Sequence, residues 1–311
     1  MRIRATVAAV TGALALSAFV SPAAQAAGTA HSPAELAKAA HAAHQAASGK
    51  SAFSTSSAAD TGEPYMLDLT FSNVKINKGK PIVAGTSKQV TVPLTFTVTH
   101  GADVDIHASD VELNVDIYRG TLDSEDGNVL FGDNLPTCTD TSATTASCTG
   151  TVDVYPDFEL TNADATTWKA EGYAFDWNDQ NPLDPDLDWS KVGFAYQDAL
   201  TTTKLQRYSK LTVNASPEPV KKGKTVTVTG KLTRANWDDH EYHGYTKQSV
   251  KLQYRKKSST TYTTLKTITS DSTGYLRTTT TATADGYYRY SFASTSTTPA
   301  VNATGDYVDV Q

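Results

Sequence analysis

From residue 65 onward, apolar residues recur at every second position in short runs, and Gly, Pro, Asn or Asp interrupts the runs. That period belongs to a β-strand, whose successive side chains point to opposite faces, and not to the 3.6-residue turn of a helix. The run over 111–118 is the cleanest. Val111, Leu113, Val115 and Ile117 face one way, and Glu112, Asn114, Asp116 and Tyr118 the other. Similar runs predict strands over 66–76, 89–99, 148–155, 168–175 and 192–205. Further along, 211–215, 224–233, 250–254, 262–269, 275–282, 287–292 and 306–310 make seven strands in about 100 residues, the density of an antiparallel sandwich.

The N-terminus reads differently. Arg2 and Arg4 precede an apolar run over 7–20, shorter than the ~20 residues a membrane span needs. Ala24-Gln25-Ala26 then matches a small-x-small cleavage site. Residues 1–26 are therefore expected to be a signal peptide, and the chain secreted, with no membrane span. Next, Ser32-Pro33-Ala34-Glu35 is a capping box with Pro at the first helical position, and predicts a short helix over 34–47. The Ser, Thr, Ala and Gly that follow predict a flexible linker, so 27–62 reads as a helical arm and linker. His31, His41 and His44 of this arm are expected to be solvated.

Cys138 and Cys148 are the only cysteines. In an oxidising compartment they are expected to pair and close a hairpin loop, worth about 3 kcal/mol in the chain-entropy model. Charge divides the rest. Residues 63–205 carry 8 Lys and Arg against 23 Asp and Glu, whereas 206–311 carry 15 against 8. An acidic β-sandwich domain over 63–205 and a basic one over 206–311 are the expected organisation. The basic face, with Lys221, Lys222, Lys224, Arg255, Lys256 and Lys257, suits an anionic cell-wall polymer. Nucleic acid is not expected outside the cell.

The basic domain bears a resemblance. The stretches 211–220 (LTVNASPEPV), 223–232 (GKTVTVTGKL), 249–255 (SVKLQYR) and 285–289 (DGYYR) resemble a secreted bacterial Ig-like module found in high-GC Gram-positive bacteria. The resemblance covers about 100 of the 311 residues. It implies a β-sandwich and secretion, and it carries no catalytic residues. Some relatives are labelled calcium-binding. Tyr288 is expected to be a tyrosine corner, two residues before an inward Tyr290.

The densest polar cluster lies over 176–188, with five carboxylates and two Asn within 13 residues. Calcium takes six to eight oxygens at about 2.3–2.6 Å, and Asp176, Asn178, Asp179, Asp184, Asp186 and Asp188 are the candidate ligands. The loop lacks the Gly and Glu of an EF-hand, and reads either as a calcium site or as an acidic surface loop rich in turn residues. His240-Glu241-Tyr242-His243 is one residue short of the zincin spacing and is expected in a loop between strands. No nucleophile elbow of the G-x-S-x-G kind occurs. Trp177 and Trp189 bracket the acidic loop as an exposed aromatic pair, suited to stacking on carbohydrate.

The sequence thus predicts an all-β protein: two antiparallel β-sandwich, Ig-like domains in tandem after a short N-terminal helix. The expected role is a secreted, non-enzymatic binding or structural protein of the cell envelope or extracellular space. The alternative is a secreted enzyme or enzyme inhibitor acting through the acidic domain, with the basic domain as an accessory.

Overall fold

The computed structural model of the protein describes residues 31–47, 62–120, 127–182, 184 and 186–311. The signal peptide read over 1–26, and residues 48–61 of the predicted linker, lie outside the described residues. In chain order the described elements begin with α1 (Pro33–Ala47), β1 (Tyr65–Met66), β2 (Leu69–Ile76), β3 (Ile82–Ala84), β4 (Val90–His100), β5 (Val111–Arg119) and β6 (Asn128–Leu130). Next come β7 (Thr137–Ser142), β8 (Thr145–Val154), α2 (Pro156–Glu159), β9 (Thr167–Asp176), β10 (Gly193–Gln197) and β11 (Thr202–Arg207). The rest is strand: β12 (Ser209–Leu211), β13 (Asn214–Ser216), β14 (Thr225–Asn236), β15 (Glu241–Gly244), β16 (Ser249–Lys256), β17 (Thr263–Thr269), β18 (Tyr275–Thr281), β19 (Gly286–Phe292), β20 (Val301–Asn302) and β21 (Asp306–Val308). The fold is all-β, as the period-two runs required. Among the described residues no helix is long and apolar enough to cross a membrane.

The chain forms two compact units. The first takes the described residues up to Lys80, with Thr91–Asp153 and Trp168–Thr203. Its four-stranded antiparallel sheet runs β2-β4-β8-β7. In its second sheet β9 lies between β10 and β5, β6 extends β5, and β1 pairs with β10 in parallel. The four-stranded sheet buries Phe71, Ile76, Leu94, Phe96 and Val98, each burial of this kind being worth about 1.5–3 kcal/mol. Phe71 lies against Gly172 of β9, where an added Cβ would stand 2.8 Å from its ring. Gly172 is thus required by close approach of the two sheets. The disulfide joins Cys138 and Cys148, which stand directly opposite each other in the β7–β8 hairpin.

α1 begins as its capping box predicts. Ser32 Oγ accepts from the Glu35 amide at 3.3 Å, and Glu35 Oε2 accepts from the Ser32 amide at 2.8 Å. The helix is not a solvated arm. Leu36, Ala40 and Ala43, spaced four and three apart, are fully buried in one cluster with Tyr173, Phe175, Trp177 and Phe194. An Ala-rich helix of this length is marginal alone in water, so this packing is what holds it.

The second unit takes Pro81–Val90, Val154–Thr167 and Lys204–Gln311. Here β14 is the spine of one five-stranded sheet, paired antiparallel with β12, β13, β15 and β18. The other five-stranded sheet runs β17-β16-β19, with β20 and β21 both on β19. Val226, Val228 and Leu232, the predicted inward face, are fully buried with Val250, Leu252, Tyr290 and Phe292 between the sheets. A short parallel pair, β3 on β11, also belongs to this unit.

Three predicted boundaries are corrected. The strand expected over 192–205 breaks into β10 and β11, because Ala199 takes a left-handed φ of 54° and the Asp198 carboxylate accepts its amide at 2.5 Å. The strand expected over 211–215 splits into β12 and β13, both pairing with β14. Of the segment expected as a loop at His240–His243, His240 stays in a turn with a φ of 61°, and Glu241–His243 enter β15, because β14 runs on to Asn236 and offers them an edge. The tyrosine corner also differs. Tyr288 makes no such bond among the described residues; the Ala284 and Asp285 carbonyls instead accept from the Tyr254 hydroxyl of the neighbouring strand β16, at 2.8 and 3.2 Å. Tyr290 does point inward and donates to the Val228 carbonyl of the opposite sheet at 2.9 Å.

Candidate functional site

In the first unit the sheet around β9 is covered on both faces. Leu113, Val115 and Ile117 of β5 stand opposite Ala174, Gly172 and Ala170 of β9. Glu112, Asn114 and Asp116 stand opposite Phe175, Tyr173 and Glu171 on the other face. That second face reads as solvent-facing from its polarity, yet α1 covers it. Glu112 is 6 % exposed, and Asp116 and Glu171 are 0 % exposed.

A buried carboxylate is costly unless hydrogen-bonded, and each of the three is engaged. Asp116 accepts from the Tyr173 hydroxyl at 2.5 Å and from the Asn114 amide at 2.7 Å. Burial, reinforced by the nearby Glu171 charge, raises the Asp116 carboxyl well above its ordinary range despite the Tyr173 bond. Burial and Asp116 raise the Tyr173 phenol in turn. Glu171 accepts from the Tyr196 hydroxyl at 2.7 Å and meets His41 Nε2 at 3.4 Å. Glu112 accepts from the His31 amide at 2.7 Å, faces His31 Nδ1 at 2.7 Å, and accepts from the Trp177 indole at 2.9 Å. His31 and His41 are therefore not solvated; they dock the helix onto the sheet. General acid or base work requires a group to reach a substrate proton, and these carboxylates are sealed beneath a helix.

The sequence-predicted loop residues are only partly brought together. Asp176 accepts from the Tyr65 hydroxyl at 2.9 Å, and Asn178 donates to that same oxygen at 2.8 Å and to the Lys191 carbonyl at 3.0 Å. Asp184 accepts from the Asp186 amide at 2.9 Å. Asp188 caps a short 3-10 turn, accepting from the Ser190 hydroxyl at 2.6 Å and pairing with Lys191 at 3.2 Å. The Ser190 bond, and then Lys191, hold its carboxyl below the ordinary range. Asp179, Asp184 and Asp186 are exposed, and Asp179 has a φ of 62°. Among the described residues, no group of three or more His, Cys, Asp or Glu stands ready to hold a metal ion. Trp177 is not exposed: it stacks on Phe175 at 4.3 Å in the core beneath α1. In β15, His243 Nε2 meets Asp239 at 2.6 Å on the exposed surface.

Sequence reasoning missed Glu112, Asp116 and Glu171 as a group. The usable signal was the pair of polar positions that β5 and β9 place opposite each other, beside a helix whose Leu36-Ala40-Ala43 stripe needs a partner.

No family model matches the chain, and no curated protein sequence matches it. Among solved structures there is similarity to the full ectodomain (Ig1–Ig3) of mouse nectin-like molecule 4, at 14 % identity and a TM-score of 0.21. The Yersinia pseudotuberculosis adhesin InvE matches at 14 % identity and 0.24, and the D00–D0 domain of intimin at 12 % and 0.25. These alignments cover 77, 78 and 77 % of this chain, and 65, 60 and 98 % of the respective partners. At such TM-scores the likeness informs neither ligand nor activity, and the fold stands on the strand pairing and cores described above.

Proposed function

We propose that the protein is a secreted, non-enzymatic binding protein of the cell envelope or extracellular space, and that the second unit contacts an anionic polymer. One observation carries this reading: five exposed lysines gather at one end of that unit. Backbone bonds from Lys222 to Gln311, from Gly223 to Ala282 and from Lys257 to Asp285 tie the 221–224 turn and the end of β16 to the same rim. Lys221, Lys222, Lys224, Lys256 and Lys257 all face solvent there. The lysines outnumber Asp285 and Asp309 beside them, and a local excess of one sign raises the concentration of an oppositely charged polymer. The Cys138–Cys148 disulfide fits an oxidising compartment.

The test is co-sedimentation of the purified chain with isolated envelope material. The expected result is binding at low salt that is lost at high salt, because exposed charges are screened. A chain that stays in the supernatant at low salt refutes the proposal. Calcium on the Asp176–Asp188 loop belongs to the same proposal, as an ion drawing together carboxylates that now stand apart. It predicts a higher melting temperature in millimolar calcium than in EDTA, abolished by Asp184→Ala with Asp186→Ala. Equal melting curves would return those side chains to the solvated surface.

A further inference from the structure

Two arginines of the second unit share a cavity of about 280 Å³, away from the lysine rim. Arg207, Arg234, Asn162, Asn236 and His243 line it. Arg207 is the last residue of β11, where it pairs with Ala84 of β3. Arg234 stands on β14 directly opposite His243 on β15, so both side chains leave the same face of the sheet.

Neither guanidinium is matched. Arg207 is only 9 % exposed, and its Nε is buried with no hydrogen-bond partner among the described residues. Among the described residues its terminal nitrogens meet only the Asn162 side-chain carbonyl. Arg234 donates weakly to the Thr297 and Thr298 hydroxyls, both at 3.3 Å, and lies over the Tyr245 ring at 4.0 Å. Among the described residues, no carboxylate forms an ion pair with either one. Asp238 faces Arg207, but its two oxygens accept from the Asn162 amide at 2.9 Å and from the Asn162 side chain. Asp239 is turned to His243. Burial and then the Arg234 charge pull the Arg207 guanidinium down to about 10. Burial lowers Arg234 as well.

Buried donors in folded proteins nearly always have acceptors, and buried charges are paired. These two neighbouring cations line one cavity, one of them keeps a buried N–H without an acceptor, and no hydrogen-bond acceptor carrying negative charge meets either among the described residues. Guanidinium forks match the oxygen spacing of phosphate and sulfate. We propose that this cavity is a binding site for a tetrahedral oxyanion, phosphate or sulfate, held between Arg207 and Arg234 with His243 at its mouth.

The test titrates the full chain with inorganic phosphate, with sulfate, and with a soluble poly(glycerol phosphate), at ionic strength held constant with sodium chloride. The readout is the Arg207 Nε–H resonance. The expected result is a saturable shift, weakened at least about tenfold by Arg234→Gln and less by Arg234→Lys, which keeps charge but loses the fork. Saturation by free phosphate or sulfate assigns a small ion; saturation by the polymer alone assigns a polymer-borne phosphate. Melting of each variant is measured first, and His243→Ala, at the exposed mouth, is a second variant that leaves Arg207 in place and is expected to weaken the shift. A resonance unmoved by all three ligands, or an identical titration in the folded Arg234→Gln protein, overturns the proposal. Replacing the lysines of the rim leaves this titration unchanged, so the two sites fail separately.

Discussion

At Asp116, burial and the Glu171 charge both oppose ionisation. The folded chain therefore keeps a proton there over a pH range in which the unfolded chain has lost it. By linkage, this group's contribution to stability is full below the ordinary value of 3.8 and declines as pH rises towards the raised folded value. Asp116→Asn removes the decline while keeping an acceptor for Tyr173. In urea unfolding the variant should be about 1–3 kcal/mol more stable than the parent at neutral pH, with the gain gone in strong acid. A variant less stable at neutral pH would mean that the ionised carboxylate is the favoured form. Alternation in β5 put Asp116 on the polar face, and that much is correct. Its burial was not legible, because it depends on α1, about 70 positions earlier in the chain.

Among the elements, α1 shows where sequence reading stops. Ser32, Pro33 and Glu35 fix its start, and the helix begins within a residue of its predicted position. Composition alone makes such an Ala-rich segment look like a solvated arm. Only the sheet's second face supplies the partner for Leu36, which is fully buried. Leu36→Ala is expected to cost about 2–5 kcal/mol, as for other buried leucines, where a solvated arm would give almost none. Trp177, at 2 % exposure beneath the helix, reports the same event through a red-shifted emission. Unchanged melting and emission would contradict the docked helix. In the second unit the long strands were readable because Val226, Val228 and Leu232 keep strict alternation. β15 was not, since Glu241–Gly244 is polar and becomes a strand only by pairing with the end of β14.

For the whole molecule, charge is the most legible property and the one from which function is argued. Counts along the chain separate an acidic stretch from a basic one, but backbone pairing decides that Lys221, Lys222, Lys224, Lys256 and Lys257 share one rim. Three acidic residues behave otherwise: Glu112, Asp116 and Glu171 are buried inside the first unit, where Glu112 meets His31 and Glu171 meets His41 of the helical segment, and Asp116 accepts from Tyr173. Solvent-exposed lysines contribute little to stability, so they can be replaced without unfolding the chain. The most direct measurement is therefore an affinity titration of a soluble anionic polymer with the parent and with Lys221→Gln, Lys222→Gln, Lys256→Gln and Lys257→Gln combined. The account predicts melting within a few degrees of the parent and an affinity at least about tenfold lower, steepest at low salt. Equal affinity in the folded variant would contradict the claim that this rim is the binding surface.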